Sequence, residues 1–437
     1  MQTSNSTTLV IGAGTWGCSI ALDLSRRGHT DITVLDAGPF PSPISAGNDL
    51  NKTAEEANEA SDSDSDADYF WNTVHALSMQ KWKCDPVFSS FYHETGFIMA
   101  AASDAAYQAC LEYAEHETAP LTALDTAEDF RATMPTAVLQ GAFAGWRGFW
   151  KKKGAGWVSA RQTLEAMYAE ATRLGVHFIT GCPHGRVKSL SYNAAGTSVE
   201  GAFTDDGVLH VASHIILTSG ASSPRLLDFH KQLRPTAWTL AHLPLSDEEA
   251  KLYRNLPVLY CVDRGFFIEP DNESCEMKIC DEHPGYINPV EDPATGDMSS
   301  VPFACTQIPV EAEIRMRRLL HETIPQLANR PLSFARICWD ADTIDRIFLI
   351  DKHPELDNLI VAVGGSGNGF MTCPAIGPLV SDIVEDKPGG ERLKKMMRWR
   401  PETSSDRDWW DTQGRFGADG KVMDFRDVQE WTKIEED

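Results

Sequence analysis

Thr8-Leu9-Val10-Ile11-Gly12-Ala13-Gly14-Thr15-Trp16-Gly17 is an apolar run followed by three spaced glycines. Residues 8–11 read as a buried parallel strand, the glycines as a tight turn, and the next residues, through Ala21 and Leu24, as a helix that stops at Gly28. A second strand, Ile32-Thr33-Val34-Leu35, ends on Asp36, nineteen residues after Gly17. Strand, glycine turn, helix and acidic strand end together form a βαβ dinucleotide fingerprint. Gly12 permits the turn, Gly14 lets backbone approach a pyrophosphate, and Gly17 lets helix and strand pack closely. The helix N-terminus then faces the phosphates, and Asp36 accepts hydrogen bonds from a ribose. This stretch predicts a doubly wound α/β unit but does not say which dinucleotide it holds.

The rest of the chain is long enough for that unit and a second one. It has 437 residues, 42% of them hydrophobic and 23% charged, with a mean hydropathy of −0.29. No apolar run reaches membrane-spanning length. The formal net charge of −24 argues against nucleic acid and anionic membranes as partners. Met1–Thr8 is polar, without the basic and apolar regions of a secretory signal. Ten cysteines show no CxxC pair and no zinc spacing, so most are expected to be buried thiols in a reducing, cytoplasmic setting, with no metal bound.

Periodicity places a helix at Ala160–Leu174 and strands at 176–179 and 215–217, the latter ending at Ser219-Gly220-Ala221. Val258–Pro270 and Met277–Cys280 read as β-structure of a different sheet. The chain returns through Leu359–Val363 into a glycine loop and a helix at Ile376–Val384. A discontinuous nucleotide domain is therefore expected over 1–90, 150–228 and 336–400. A mixed-sheet substrate domain is expected over 91–149 and 229–335, and a tail contributing to the active site over 401–437. Residues 55–68 carry seven acidic groups and little to bury, and read as a solvated flexible loop near an active-site mouth.

Three late segments narrow the cofactor: Arg336-Ile337-Cys338-Trp339-Asp340, Phe348-Leu349-Ile350-Asp351 and Gly364-Gly365-Ser366-Gly367-Asn368-Gly369-Phe370. Together they resemble the flavin-attachment region of the sarcosine oxidase and fructosyl amine oxidase (amadoriase) group. Further segments, Ser45-Ala46-Gly47-Asn48-Asp49, Arg234-Pro235-Thr236-Ala237-Trp238, Cys280–Tyr286 and Arg415-Phe416-Gly417, extend the resemblance from Val10 to Trp431 and place it nearest the fungal amadoriases. The resemblance implies the two-domain fold of the D-amino acid oxidase superfamily, and FAD joined covalently through Cys338, ten residues before Phe348. Many amadoriases have a second cysteine two positions on; here that position is Asp340. The resemblance also implies that FAD is held by Gly12, Gly14, Thr15, Trp16, Gly17, Asp36, Ser45, Gly47, Asn48, Lys52, Val187, Gly220, Asp340, Gly367, Gly369, Phe370 and Met371.

For catalysis it implies Lys278, lying over the flavin and promoting its reaction with O2, and the pair Glu282 and Arg415, binding sugar hydroxyls as acceptor and donor. The expected reaction is oxidative deglycation of fructosyl amino acids or related secondary amines, giving glucosone, free amine and H2O2, by a monomer. Two departures stand out. Met371 replaces the lysine that grips the substrate carboxylate in the family, and the stretch 101–130 contains no arginine. The sugar end therefore reads as kept and the carboxylate end as rebuilt. These departures leave an oxidase of N-methyl amino acids or another secondary amine as the alternative. A non-catalytic flavin-binding module is the reading from another class. The chain ends Glu435-Glu436-Asp437, without a peroxisomal tripeptide.

Overall fold

The computed structural model describes residues 6–291, 296, 298–412 and 421–434. The opening strand Thr8–Ile11 lies inside a six-stranded sheet, between Ile32–Asp36 on one side and His214–Leu217 on the other. His177–Thr180 extends the first flank. Leu359–Val363 extends the second, and Leu349–Lys352 closes that edge as the antiparallel strand. All four residues of the opening strand are buried, as expected for a parallel strand covered on both faces. Helices Thr15–Arg26, Ala160–Arg173 and Cys373–Val384 pack on this sheet, each with a buried apolar stripe.

A second sheet of nine strands contains Arg234–Pro244, Val258–Cys261, Gly265–Ile268 and Glu276–Ile287. Residues 258–270 and 277–280 thus belong to a different sheet from the nucleotide fingerprint. Phe334–Asp342, the strand bearing Cys338, runs antiparallel to Arg234–Pro244 at the edge of this second sheet and pairs Cys338 with Trp238. The chain then crosses directly into the six-stranded sheet at Leu349.

The acidic run at 55–68 departs from the expected loop. Glu55 ends the strand Asn51–Glu55, which pairs with Ala155–Ser159. Asp66 begins a helix of 19 residues, Asp66–Cys84, capped by the Ser65 side chain accepting from the Asp68 amide. The acidic residues of its first turn suit the positive end of the helix dipole. Only the intervening residues, largely exposed, form turns.

Candidate active site

The glycine turn is built by close approach. A Cβ on Gly17 would lie 1.8 Å from the carbonyl oxygen of Gly12, and Gly12 itself has φ +115°. Helix and strand therefore meet at a distance that only glycine permits. Helix Thr15–Arg26 has Gly14 as its N-cap, no side-chain cap and no acidic residue in its first turn. Its free amides are thus available to an anion. Asp36 holds the turn by accepting from the amides of Ala13 (2.8 Å) and Gly38 (2.9 Å). Burial pushes its carboxyl upward, and those two amides pull it back.

A cavity of about 1210 Å³ runs from this turn between the two sheets. That exceeds the roughly 300–1,000 Å³ of most ligand pockets, leaving room for a dinucleotide and a second molecule. One end is lined by Asp36, Arg186 and Val187, and the middle by Gly12, Gly14, Thr15, Ser45, Gly47 and Gly220. Gly367, Gly369 and Phe370 of the late glycine loop face them. Trp16 stitches the two glycine segments together, its indole N–H donating to the Gly369 carbonyl at 2.7 Å. Asp340 accepts from the Gly367 amide and so ties that loop to the Cys338 strand. Two expected flavin contacts do not line the cavity. Gly17 is buried in the turn, and the side chain of Asn48 bridges the Ser42 carbonyl (3.1 Å) and the Arg161 guanidinium (2.8 Å) instead.

Cys338, Lys52, Trp238 and Lys278 line the far end. Here the structure adds a residue that the sequence left without a role. Asp49 accepts from Lys278 Nζ at 2.6 Å, and Lys52 Nζ sits 2.7 Å from the same carboxylate oxygen. Lys278 Nζ also donates to the Asn51 carbonyl at 2.8 Å and lies 5.5 Å from the centre of the Phe266 ring. The side chains of Lys278 and Asp49 are each 1% exposed. Burial alone would raise the Asp49 carboxyl. Lys278, Lys52 and Arg336 outweigh it and hold the group well below the ordinary carboxylate range. Lys52 loses solvation, yet the Asp49 carboxylate raises it above an ordinary lysine. The result is two ammonium groups, Lys278 buried and Lys52 partly exposed, on one buried carboxylate, carrying net positive charge. Arg336 donates to the carbonyls of Pro43 (2.9 Å) and Ser45 (3.1 Å), holding the segment that leads into Asp49 against the cysteine strand.

Beyond Met371 the lining changes. The Glu55 amide donates to the Met371 sulfur at 3.2 Å, and the Trp82 indole fixes the Met371 carbonyl at 2.7 Å. The Glu55 carboxylate accepts from Tyr113 and from Lys151 (3.2 Å). Asn72, His75 and Glu117 line the same end. Of the expected sugar-binding residues, Glu282 lies on the strand Glu276–Ile287, with its side chain outside the description. Arg415 falls outside the described residues.

A family model described as FAD dependent oxidoreductase matches residues 7–383. The fructosyl amine:oxygen oxidoreductase amadoriase I of Aspergillus fumigatus is 52% identical, with a TM-score of 0.96 over 100% of both chains. The chain belongs to the amadoriase branch of the FAD-dependent oxidoreductases. The fructosamine oxidase amadoriase II of the same fungus is 46% identical, with a TM-score of 0.94 over 100% of this chain and 99% of that one. An L-saccharopine oxidase of Schizosaccharomyces pombe is 29% identical over 92% of this chain and 95% of its own. An amadoriase fold needs a dinucleotide cradle, and the uncapped helix, the glycine turn and the cavity between the sheets fit FAD. No helix among the described residues is long and apolar enough to cross a membrane.

Proposed function

We propose that this amadoriase-family chain oxidises the secondary amine of fructosyl amino acids or related Amadori compounds with O2, giving H2O2, and that water then releases glucosone and free amine. The observation that carries the reading is the Lys278–Asp49–Lys52 cluster beside Cys338, in a chain matched over its whole length by two fungal amadoriases. FAD, when bound, accepts hydride from the substrate C–N bond and returns the electrons to O2.

The chain's own residues bind, orient and supply charge. Cys338 holds the flavin through a thioether, with Lys52 as the neighbouring cation. Lys278 is a fixed, dry ammonium where negative charge develops on oxygen, and the Asp49 carboxylate sets its position. Glu282 and Arg415 take the sugar hydroxyls, one accepting and the other donating. The same reading has the protein act on a small-molecule amine as a cytoplasmic monomer.

An oxidase of N-methyl amino acids is the second reading. Its substrates, like fructosyl amino acids, carry an α-carboxylate, and Met371 in place of a lysine there favours it, while the sugar contacts given to Glu282 and Arg415 disfavour it. A coupled peroxide assay across fructosyl amino acids, fructosyl peptides and N-methyl amino acids tests the proposal. Peroxide from fructosyl compounds supports it, and peroxide from N-methyl amino acids alone refutes it.

A further inference from the structure

We propose that the amine part of the preferred substrate carries a second positive charge, as in a monofructosylated diamine, and that Glu55 is the residue that receives it. The inference rests on the fructosyl amine reading and goes on to name the substrate class within it.

Three carboxylates line the cavity beyond Met371, together with the imidazoles of His75 and His116. Glu55, Glu56 and Glu117 line it, while Lys151 lies behind them with its side chain 2% exposed. Lys151 Nζ is saturated from the protein side: it donates to Glu117 (2.5 Å), to the Glu56 carbonyl (2.7 Å) and to Glu55 (3.2 Å). Lys83 pairs with Glu56 at the outer surface. Glu117 has both oxygens engaged, one on Lys151 and the other on the Ala119 amide at 2.8 Å. Glu55 does not. Its Oε1 accepts from Tyr113 and Lys151, and its Oε2 has no hydrogen bond among the described residues. His75, which also lines this end, is pushed down to about 4 by burial and by Lys151, so it is neutral at pH 7 and adds no positive charge. Burial also pushes the Glu55 carboxyl upward against the pull of Lys151 and Tyr113. A cation delivered to its free oxygen relieves that cost, whereas a carboxylate placed there meets like charge.

Lys52, whose charge lies beside Cys338, and Glu55 belong to one strand, Asn51–Glu55, and both line the cavity. Met371 leaves this path apolar and adaptable, and its sulfur already meets the Glu55 backbone.

The test compares kcat/KM of the holoenzyme for three fructosylated amines of equal length, made from 1,5-diaminopentane, pentylamine and 5-aminopentanoate. The expected order is cationic over neutral over anionic, with about tenfold or more between the first two. In Glu55→Gln the cationic-to-neutral ratio falls about tenfold. If that variant does not fold, Met371→Lys serves in its place, since an ammonium beside Glu55 neutralises it and lowers the same ratio. A neutral substrate preferred over the cationic one, or a ratio unmoved in whichever variant folds, overturns the inference and leaves the deglycation reading intact. No turnover of any of the three overturns both.

Discussion

Replacing Lys278 with methionine tests the centre of the proposed chemistry, and its size can be worked from the cluster. Lys278 and Lys52 together place two positive charges against the single negative charge of Asp49, all within 2.7 Å contacts. The substitution takes the cluster from a net charge of about +1 to zero. A unit charge about 4 Å from a developing anion is worth about 4 kcal/mol at an effective dielectric of 20. Loss of one such fixed contact lowers a rate roughly 10²–10³-fold. Reduction of the flavin by substrate spreads the incoming hydride charge over the flavin ring system and not onto oxygen, so it should slow far less than reoxidation. The fold should tolerate the change, because Asp49 keeps Lys52 at 2.7 Å and does not become a bare buried charge. The Asn51 carbonyl does lose its 2.8 Å donor, a cost of about 1–3 kcal/mol that a thermal melt will register. Stopped-flow absorbance, following reduction anaerobically and reoxidation on mixing with O2, separates the half-reactions. Equal slowing of both, or undiminished reoxidation, would refute the assignment of Lys278.

Cys338→Ala should release flavin on acid precipitation, whereas the unmutated protein should retain it in the pellet; release from both removes the covalent link. Glu282→Gln and Arg415→Ala should each cut kcat/KM for fructosyl amines by at least tenfold with the flavin spectrum intact, because each removes a charged hydrogen-bond partner of about 1.5–3 kcal/mol; normal turnover by both variants favours another secondary amine. Gly17→Ala should yield little folded protein or protein without bound flavin, since the added Cβ would fall 1.8 Å from the Gly12 carbonyl, and normal yield with full flavin content would contradict the packing. His75 titrates at about 4 in the fold against 6.5 for the free side chain, so its contribution to stability is complete above pH 6.5 and is lost as pH falls towards 4. That loss reaches about 2 kcal/mol by pH 5, and His75→Gln should lose less melting temperature than the parent protein between pH 7 and pH 5.

The features that the sequence determined by itself are those whose physical reason is local. Gly12 and Gly17 sit where backbone meets backbone within one turn, so their spacing alone marks the strand–turn–helix unit. The segment Met277–Cys280 and the apolar run Leu359–Val363 read as strands in the same way. Charged residues are different, because the meaning of a charge depends on what the fold brings to it. Asp49 was visible within a recognisable segment but had no role until Lys278, 229 positions away in sequence, closed on it. Glu55 read as one more acid in a solvated run, yet it ends a strand and is drawn into the cavity wall by Lys151, 96 positions on. Nothing near Glu55 in sequence announces that partner. The tertiary structure decided which carboxylates are solvated and which face the substrate, since burial turns a surface charge into one that must be paired, and pairing across the sheets is set by the packing of distant strands.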